Sequence, residues 1–164
     1  MEIYILRHGI AEPAAAAGAR DVDRALTKEG KQKLRVVLKR AAAAGVEPTL
    51  ILTSPLRRAV ETAELAAEVL GYSGELLETG ALEPARDPES VWEELRLHKN
   101  AQAVLLSGHE PQLSAVVAYL LGTPALRVNM RKGALVRIAM EEFGAHPRGI
   151  LEWMLTVKLA GADS

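Results

Sequence analysis

Three short apolar runs punctuate this chain: Ile3-Tyr4-Ile5-Leu6, Leu50-Ile51-Leu52-Thr53 and Ala103-Val104-Leu105-Leu106. Each is brief, rich in β-branched or other large apolar residues and bounded by turn-forming residues, which predicts buried strands. Between them the apolar period changes to that of a helix. Thr27 predicts an N-cap, followed by Leu34, Val37, Leu38 and Ala41, with Gly45 and Pro48 ending the element. Ser54-Pro55 predicts a second start, Ser54 as cap and Pro55 as first helical residue, with Ala59, Ala63, Ala66 and Leu70 on one face. Residues 75–77 form a candidate short strand and residues 82–86 a loop. A third helix opens at Asp87-Pro88-Glu89-Ser90, capped by Asp87, carries Val91, Trp92 and Leu95, and ends near Asn100. A fourth begins at Pro111, buries Leu113, Val116, Val117, Leu120 and Leu121, and stops at Gly122 and Pro124. After a polar connection over 128–132, residues 135–139 and 151–157 read as strands, the second placing Leu151, Trp153, Leu155 and Val157 on one face. Residues 10–23, with an Ala15-Ala16-Ala17 run between Pro13 and Gly18, predict a loop over a pocket. The mainly alternating strand and helix order argues for a layered α/β domain without internal repeat, low-complexity tract or linker.

Composition narrows the picture. The 164 residues suit one domain over 1–164 with a core that needs no staples. A formal net charge of −1 implies no general attraction to nucleic acid. No cysteine is present, which removes disulfides, thiolate nucleophiles and thiolate metal ligands together. The first residues lack a secretory pattern, and no apolar run reaches the roughly 20 residues of a membrane helix. The expectation is a cytoplasmic protein without a membrane partner.

The polar cargo of the strand ends carries the chemistry. The first run ends in Arg7-His8-Gly9, the second leads through Ser54-Pro55 to Arg57-Arg58, and the third ends in Gly108-His109. Open parallel sheets place ligands beyond the carboxyl ends of their strands, and Gly9 allows a sharp turn and a close ligand. Cations are unfavourable in the first turn of a helix, so Arg57 and Arg58 either reach solvent or face an anion bound there. Asp21, Asp23 and Arg24 read as solvated, His98 as a surface residue and His146 as a turn residue. No acidic cluster accompanies the histidines, and two histidines without a third ligand make a poor zinc site, so no metal and no cofactor is expected. No nucleophile-elbow motif supports a serine triad. A pocket of Arg and His suits a phosphoryl group.

These residues resemble a known pattern. Leu6-Arg7-His8-Gly9, Leu26-Thr27-x-x-Gly30, Ser54-Pro55-Leu56-Arg57-Arg58-Ala59-x-x-Thr62 and Gly108-His109-Glu110-Pro111 resemble, in order, the motifs of the histidine phosphatase, or phosphoglycerate mutase-like, superfamily. The short chain, the Gly-His-Glu-Pro form and Lys132-Gly133-Ala134-Leu135 resemble its SixA branch of phosphohistidine phosphatases. The resemblance implies a three-layer α/β/α sandwich with a mainly parallel central sheet. It implies that His8 attacks phosphorus, and that Arg7, Arg58 and a protonated His109 bind the phosphoryl oxygens. Arg58, not Arg57, matches the motif position, and Glu83 is the candidate general acid. The implied partner is a phosphohistidine-bearing protein, or alternatively a small phosphorylated metabolite handled by a phosphomonoesterase or mutase. A non-catalytic phosphate-binding module is the third reading. A monomer or weak homodimer is expected.

Overall fold

The computed structural model describes residues 1–14 and 20–162. The alanine run at 15–17 and Gly18 lie outside them. Six strands form one sheet in the order β3-β2-β4-β1-β5-β6. They are β1 (Glu2–Arg7), β2 (Leu50–Thr53), β3 (Leu76–Glu78), β4 (Ala103–Gly108), β5 (Leu135–Ala139) and β6 (Ile150–Leu155). β1, β2, β3 and β4 pair in parallel, whereas β5 runs antiparallel to β1 and β6 antiparallel to β5. The helices are α1 (Lys28–Ala43), α2 (Arg57–Leu70), α3 (Pro88–Leu97), α4 (Gln112–Leu120) and the short α5 (Val157–Ala160).

The near-continuous apolar strands follow from burial on both faces. Side chains alternate across a strand, so Ile3 and Ile5 pack with α3 and α4, joined by Leu52, Val104 and Leu106. Tyr4 and Leu6 pack on the opposite face with α1, α2 and Ala160 of α5, joined by Ile51 and Leu105. These two cores make the three-layer sandwich expected from the sequence. Trp92 closes one of them: it is fully buried, stacks on Phe143 with ring centroids 5.4 Å apart, and donates its indole N–H to the Gly144 carbonyl.

The element ends differ from expectation where side chains found other partners. Thr27 caps α1 as predicted, accepting from the Gly30 amide at 2.9 Å. Ser54 does not cap α2, which starts at Arg57 after Leu56; its hydroxyl accepts weakly from the Leu56 amide and is engaged elsewhere. Asp87 sits at the α3 N-cap without a side-chain bond, and α3 ends at Leu97. α4 starts after Pro111, and Glu110 satisfies its Ser114 amide at 2.7 Å. The predicted last strand stops at Leu155, because Thr156 accepts from the Leu159 amide and opens α5 instead. A bulge opposite Arg137 and Ile138 breaks the alternation, leaving Leu151 about half exposed rather than in line with Trp153. His146 lies in a bend, in line with its reading as a turn residue, while His98, expected at the surface, is half-buried and contacts Glu94 at 3.2 Å.

Two glycines shape the segment that leaves β1. Neither Gly9 nor Gly30 has a positive φ, so neither is there for a special backbone angle. A methyl group on Gly9 would meet Leu34 Cδ1 at 2.6 Å, and one on Gly30 would collide with the Ile10 carbonyl oxygen. Among the described residues the tight approach at Gly9 is to α1. The Ile10 carbonyl also accepts from the Thr27 amide at 2.9 Å. Gly30→Ala must push α1 and residue 10 apart; we expect a loss of about 1–3 kcal/mol in urea unfolding, with a weakened substrate KM because residues 8–10 move with it.

Candidate active site

Convergence begins with the sheet. β1, β4 and β2 are neighbours, and their carboxyl ends lie level: Arg7 pairs with Gly108, and Ser107 with Thr53. The zip continues beyond the strands, with the His8 amide donating to the Gly108 carbonyl and the Ser54 amide to the Ser107 carbonyl, both at 3.0 Å. His8, His109 and Ser54 therefore emerge side by side. The two imidazole centroids lie 5.2 Å apart. His8, Arg58 and His109 are 6%, 6% and 1% exposed, a degree of burial that polar side chains reach only when held by partners.

Each group has a holder. His8 Nδ1 lies 2.7 Å from the carbonyl oxygen of Gly9. A carbonyl only accepts, so Nδ1 carries the proton and Nε2 keeps its lone pair. Arg7 donates from Nη1 to the Met130 carbonyl at 2.8 Å. Arg58 donates to the Asp21 carbonyl at 3.1 Å and to its carboxylate at 3.3 Å. Thr62 ties α2 to the β1 end, donating to the Arg58 carbonyl at 2.7 Å and accepting from the Gly9 amide at 3.3 Å. His109 Nε2 lies 2.7 Å from Ser54 Oγ. Arg7 Nε, Arg58 Nε and His109 Nδ1 are buried without a protein hydrogen-bond partner. Such orphans are rare, and three of them meet at this one place.

Electrostatics follow. Burial pushes His8 down from 6.5 to about 4, against the Gly9 bond, and Arg58, Arg7 and Lys132 push it further down. Burial also pushes His109 down, to about 3, with His8, Arg58 and Arg7 adding to it and Asp21 opposing. The protein's own groups thus favour neutral His109, while the expected imidazolium drew its charge from a bound phosphate. A hydroxyl donating from Ser54 to Nε2 leaves Nδ1 as the protonated nitrogen, so a neutral ring can still donate. Burial draws the Arg7 and Arg58 guanidiniums below their ordinary value, opposed by Glu110 and by Asp21 respectively.

An NMR titration checks these states. His8 and His109 should hold neutral-imidazole shifts with Nδ1–H tautomers from about pH 7 down to about pH 5. His8 should gain its proton only near 4. A His8 midpoint at 6.5 would overturn the assignment.

The remaining sequence candidates sort themselves. Arg57 is more than half exposed and lies 3.6 Å from Glu61, outside the group. Asp21 is not merely solvated: it holds both Arg24 and Arg58. Asp23 and Arg20 form an exposed ion pair. Glu83 follows the 3-10 turn Gly80–Leu82, half-buried and with no ion pair or side-chain hydrogen bond among the described residues. Gln112, one turn beyond His109, donates to the carbonyls of Ala81 and Arg86 at 2.7 and 3.2 Å and fastens that loop beside the His109 turn. Ser54, Asp21 and Thr62 were not singled out as site residues in the sequence; Ser54 and Thr62 lay inside a quoted motif, and only Asp21 gave no signal. No group of three or more His, Asp or Glu placed to hold a metal occurs among the described residues, and no described helix is long and apolar enough to cross a membrane.

Comparison with known proteins bears on the family and the fold. The histidine phosphatase superfamily (branch 1) pattern matches residues 3–82. An uncharacterised protein of Picosynechococcus sp. is 35% identical over 139 residues, 83% of each chain. The protein histidine phosphatase SixA, solved with tungstate, is 27% identical with a TM-score of 0.85, covering 96% of this chain and 98% of that one. A protein of Agrobacterium tumefaciens assigned as phosphohistidine phosphatase SixA has 24% identity and a TM-score of 0.80, with 94% and 97% covered. At 19% identity the alpha-ribazole phosphatase of Shigella flexneri shares the fold, with a TM-score of 0.71 and 96% and 97% covered. The chain belongs to the histidine phosphatase superfamily, a family of phosphatases, and to its SixA-type branch.

Proposed function

We propose that this chain is a phosphohistidine phosphatase that works without a metal, through a phosphorylated His8. One observation carries the reading: a neutral imidazole whose Nδ1–H is pinned by a carbonyl presents a bare Nε2 beside the buried Arg58 guanidinium and the half-buried Arg7. The Nε2 lone pair forms a bond to phosphorus as the bond to the leaving imidazole breaks, and that imidazole departs with the electron pair and takes a proton. Water then attacks phospho-His8, releasing inorganic phosphate and restoring Nε2. Arg7, Arg58 and the Nδ1–H of His109 stabilise the charge spread over the non-bridging oxygens. The guanidiniums supply the positive charge that a metal supplies in other phosphoryl-transfer sites. Tungstate, which SixA binds in its solved structure, should inhibit this enzyme in the presence of a chelator.

A phosphohistidine substrate is favoured because its P–N bond is labile and its leaving group accepts a proton readily. An alkoxide leaving group makes a stronger demand for an acid. The second reading, a small-molecule phosphomonoesterase, rests on Glu83, whose unpaired carboxylate stands on the loop fastened to the His109 turn. Purified protein should hydrolyse a phosphohistidine peptide faster than phosphomonoesters, and Glu83→Gln should leave the peptide rate intact. Faster ester turnover, lost in Glu83→Gln, would replace the first reading with the second.

A further inference from the structure

A cationic cleft adjoins the segment that carries His8. A cleft of about 690 Å³ opens between α1, the residues preceding β5, and α5. Arg7 and Gly9 line it, which makes it continuous with the segment that carries His8. Lys33, Arg131, Lys132 and Lys158 add four cations, and no carboxylate is among the lining residues. With a chain net charge of −1, this is local segregation and not a reflection of composition. Lys33 pairs with Glu29 on the surface of α1. Arg131, Lys132 and Lys158 are exposed and form no ion pair among the described residues.

The His8 site and the cleft hold their cations differently. At the His8 site Arg58 is buried and Arg7 half-buried, and each charge acts at short range in a lowered dielectric. The cleft carries them at the surface, where each is screened and weak singly. Surface cations of one sign act together on an extended surface of the opposite sign, setting encounter rate and choice of partner. Their complement is a set of carboxylates spread over a protein surface, rather than one small anion. We propose that this cleft docks acidic side chains flanking the phosphorylated histidine of a protein substrate, while the phosphoryl group enters the His8 pocket. The proposal deepens the phosphohistidine reading and rests on it for the identity of the docked protein.

Two phosphohistidine peptides test it, one with about four flanking glutamates and one with glutamines in their place. At low salt the wild-type enzyme should prefer the glutamate peptide by about tenfold in kcat/KM, through KM, and the preference should shrink as salt is raised. The Arg131→Ala/Lys158→Ala double variant should treat the peptides alike, yet hydrolyse free phosphohistidine at the wild-type rate. Equal rates on both peptides in the wild type, or a preference that survives in the double variant, would overturn the docking role. Should neither peptide turn over while p-nitrophenyl phosphate does, the phosphohistidine reading fails and the cleft is still read. The unphosphorylated glutamate peptide should then inhibit ester turnover in the wild type and not in the double variant, and absence of inhibition sinks the cleft proposal.

Discussion

Replacing His8 with alanine should lower phosphatase turnover by about 10⁴-fold or more and eliminate the phospho-enzyme. The expectation rests on position as well as type. His8 Nδ1 is committed to the Gly9 carbonyl and Nε2 is the one uncommitted nucleophilic nitrogen on that ring. His109 cannot take over, because its Nε2 faces the Ser54 hydroxyl. Labelled substrate quenched early in turnover should mark the wild-type chain with an acid-labile, alkali-stable phosphate, and the alanine variant should stay unlabelled. The variant keeps Arg7, Arg58 and His109, so it should still bind a phosphohistidine peptide and tungstate. Near-wild-type turnover by His8→Ala would dismiss a covalent route through this residue.

Arg58→Ala should cost about 10²–10³-fold in kcat/KM, the scale for removing one preorganised donor from a developing charge. Arg58 is almost fully buried on the first turn of α2 and is held at both amino groups by Asp21. Its guanidinium also lowers the pKa of His8, so the variant should protonate His8 at a higher pH than the wild type. That second readout separates loss of the charge from simple disturbance of the fold. Arg58→Lys should restore the electrostatic effect on His8 but only part of the rate, because a point charge cannot present a planar fork to two oxygens. An Arg58→Ala enzyme with unchanged rate and an unchanged His8 titration would remove Arg58 from the site.

Much of the fold was legible because burial and period coincide. Leu50 to Thr53 and Leu135 to Ala139 appear as strands with the bounds their apolar runs suggest, since each is a short and largely buried apolar run. Legibility failed where one side chain had two uses. Ser54 has the chemistry of an N-cap, but the imidazole of His109 takes its hydroxyl, and the helix waits until Arg57. Thr156 has the β-branched shape of a strand residue, yet its hydroxyl serves α5. Asp21 was invisible as a site residue because its partner is 37 positions away in sequence. The downward pull on the His109 pKa was equally hidden, since burial and three neighbouring cationic or imidazole groups are properties of the assembled pocket.

The level strand ends have a consequence for how such a molecule diversifies. The amides of His8 and Ser54 extend the ladders of the most buried strands, so the nucleophile rides on the part of the molecule that opens last. The surroundings are built otherwise, from exposed residues such as the Arg20–Asp23 ion pair, of small energetic weight. Substitutions there can change which phosphorylated molecule is admitted while leaving the reacting atoms in register. Chemistry and choice of substrate are thus inherited on separate pieces of the chain, and one can drift while the other stays fixed.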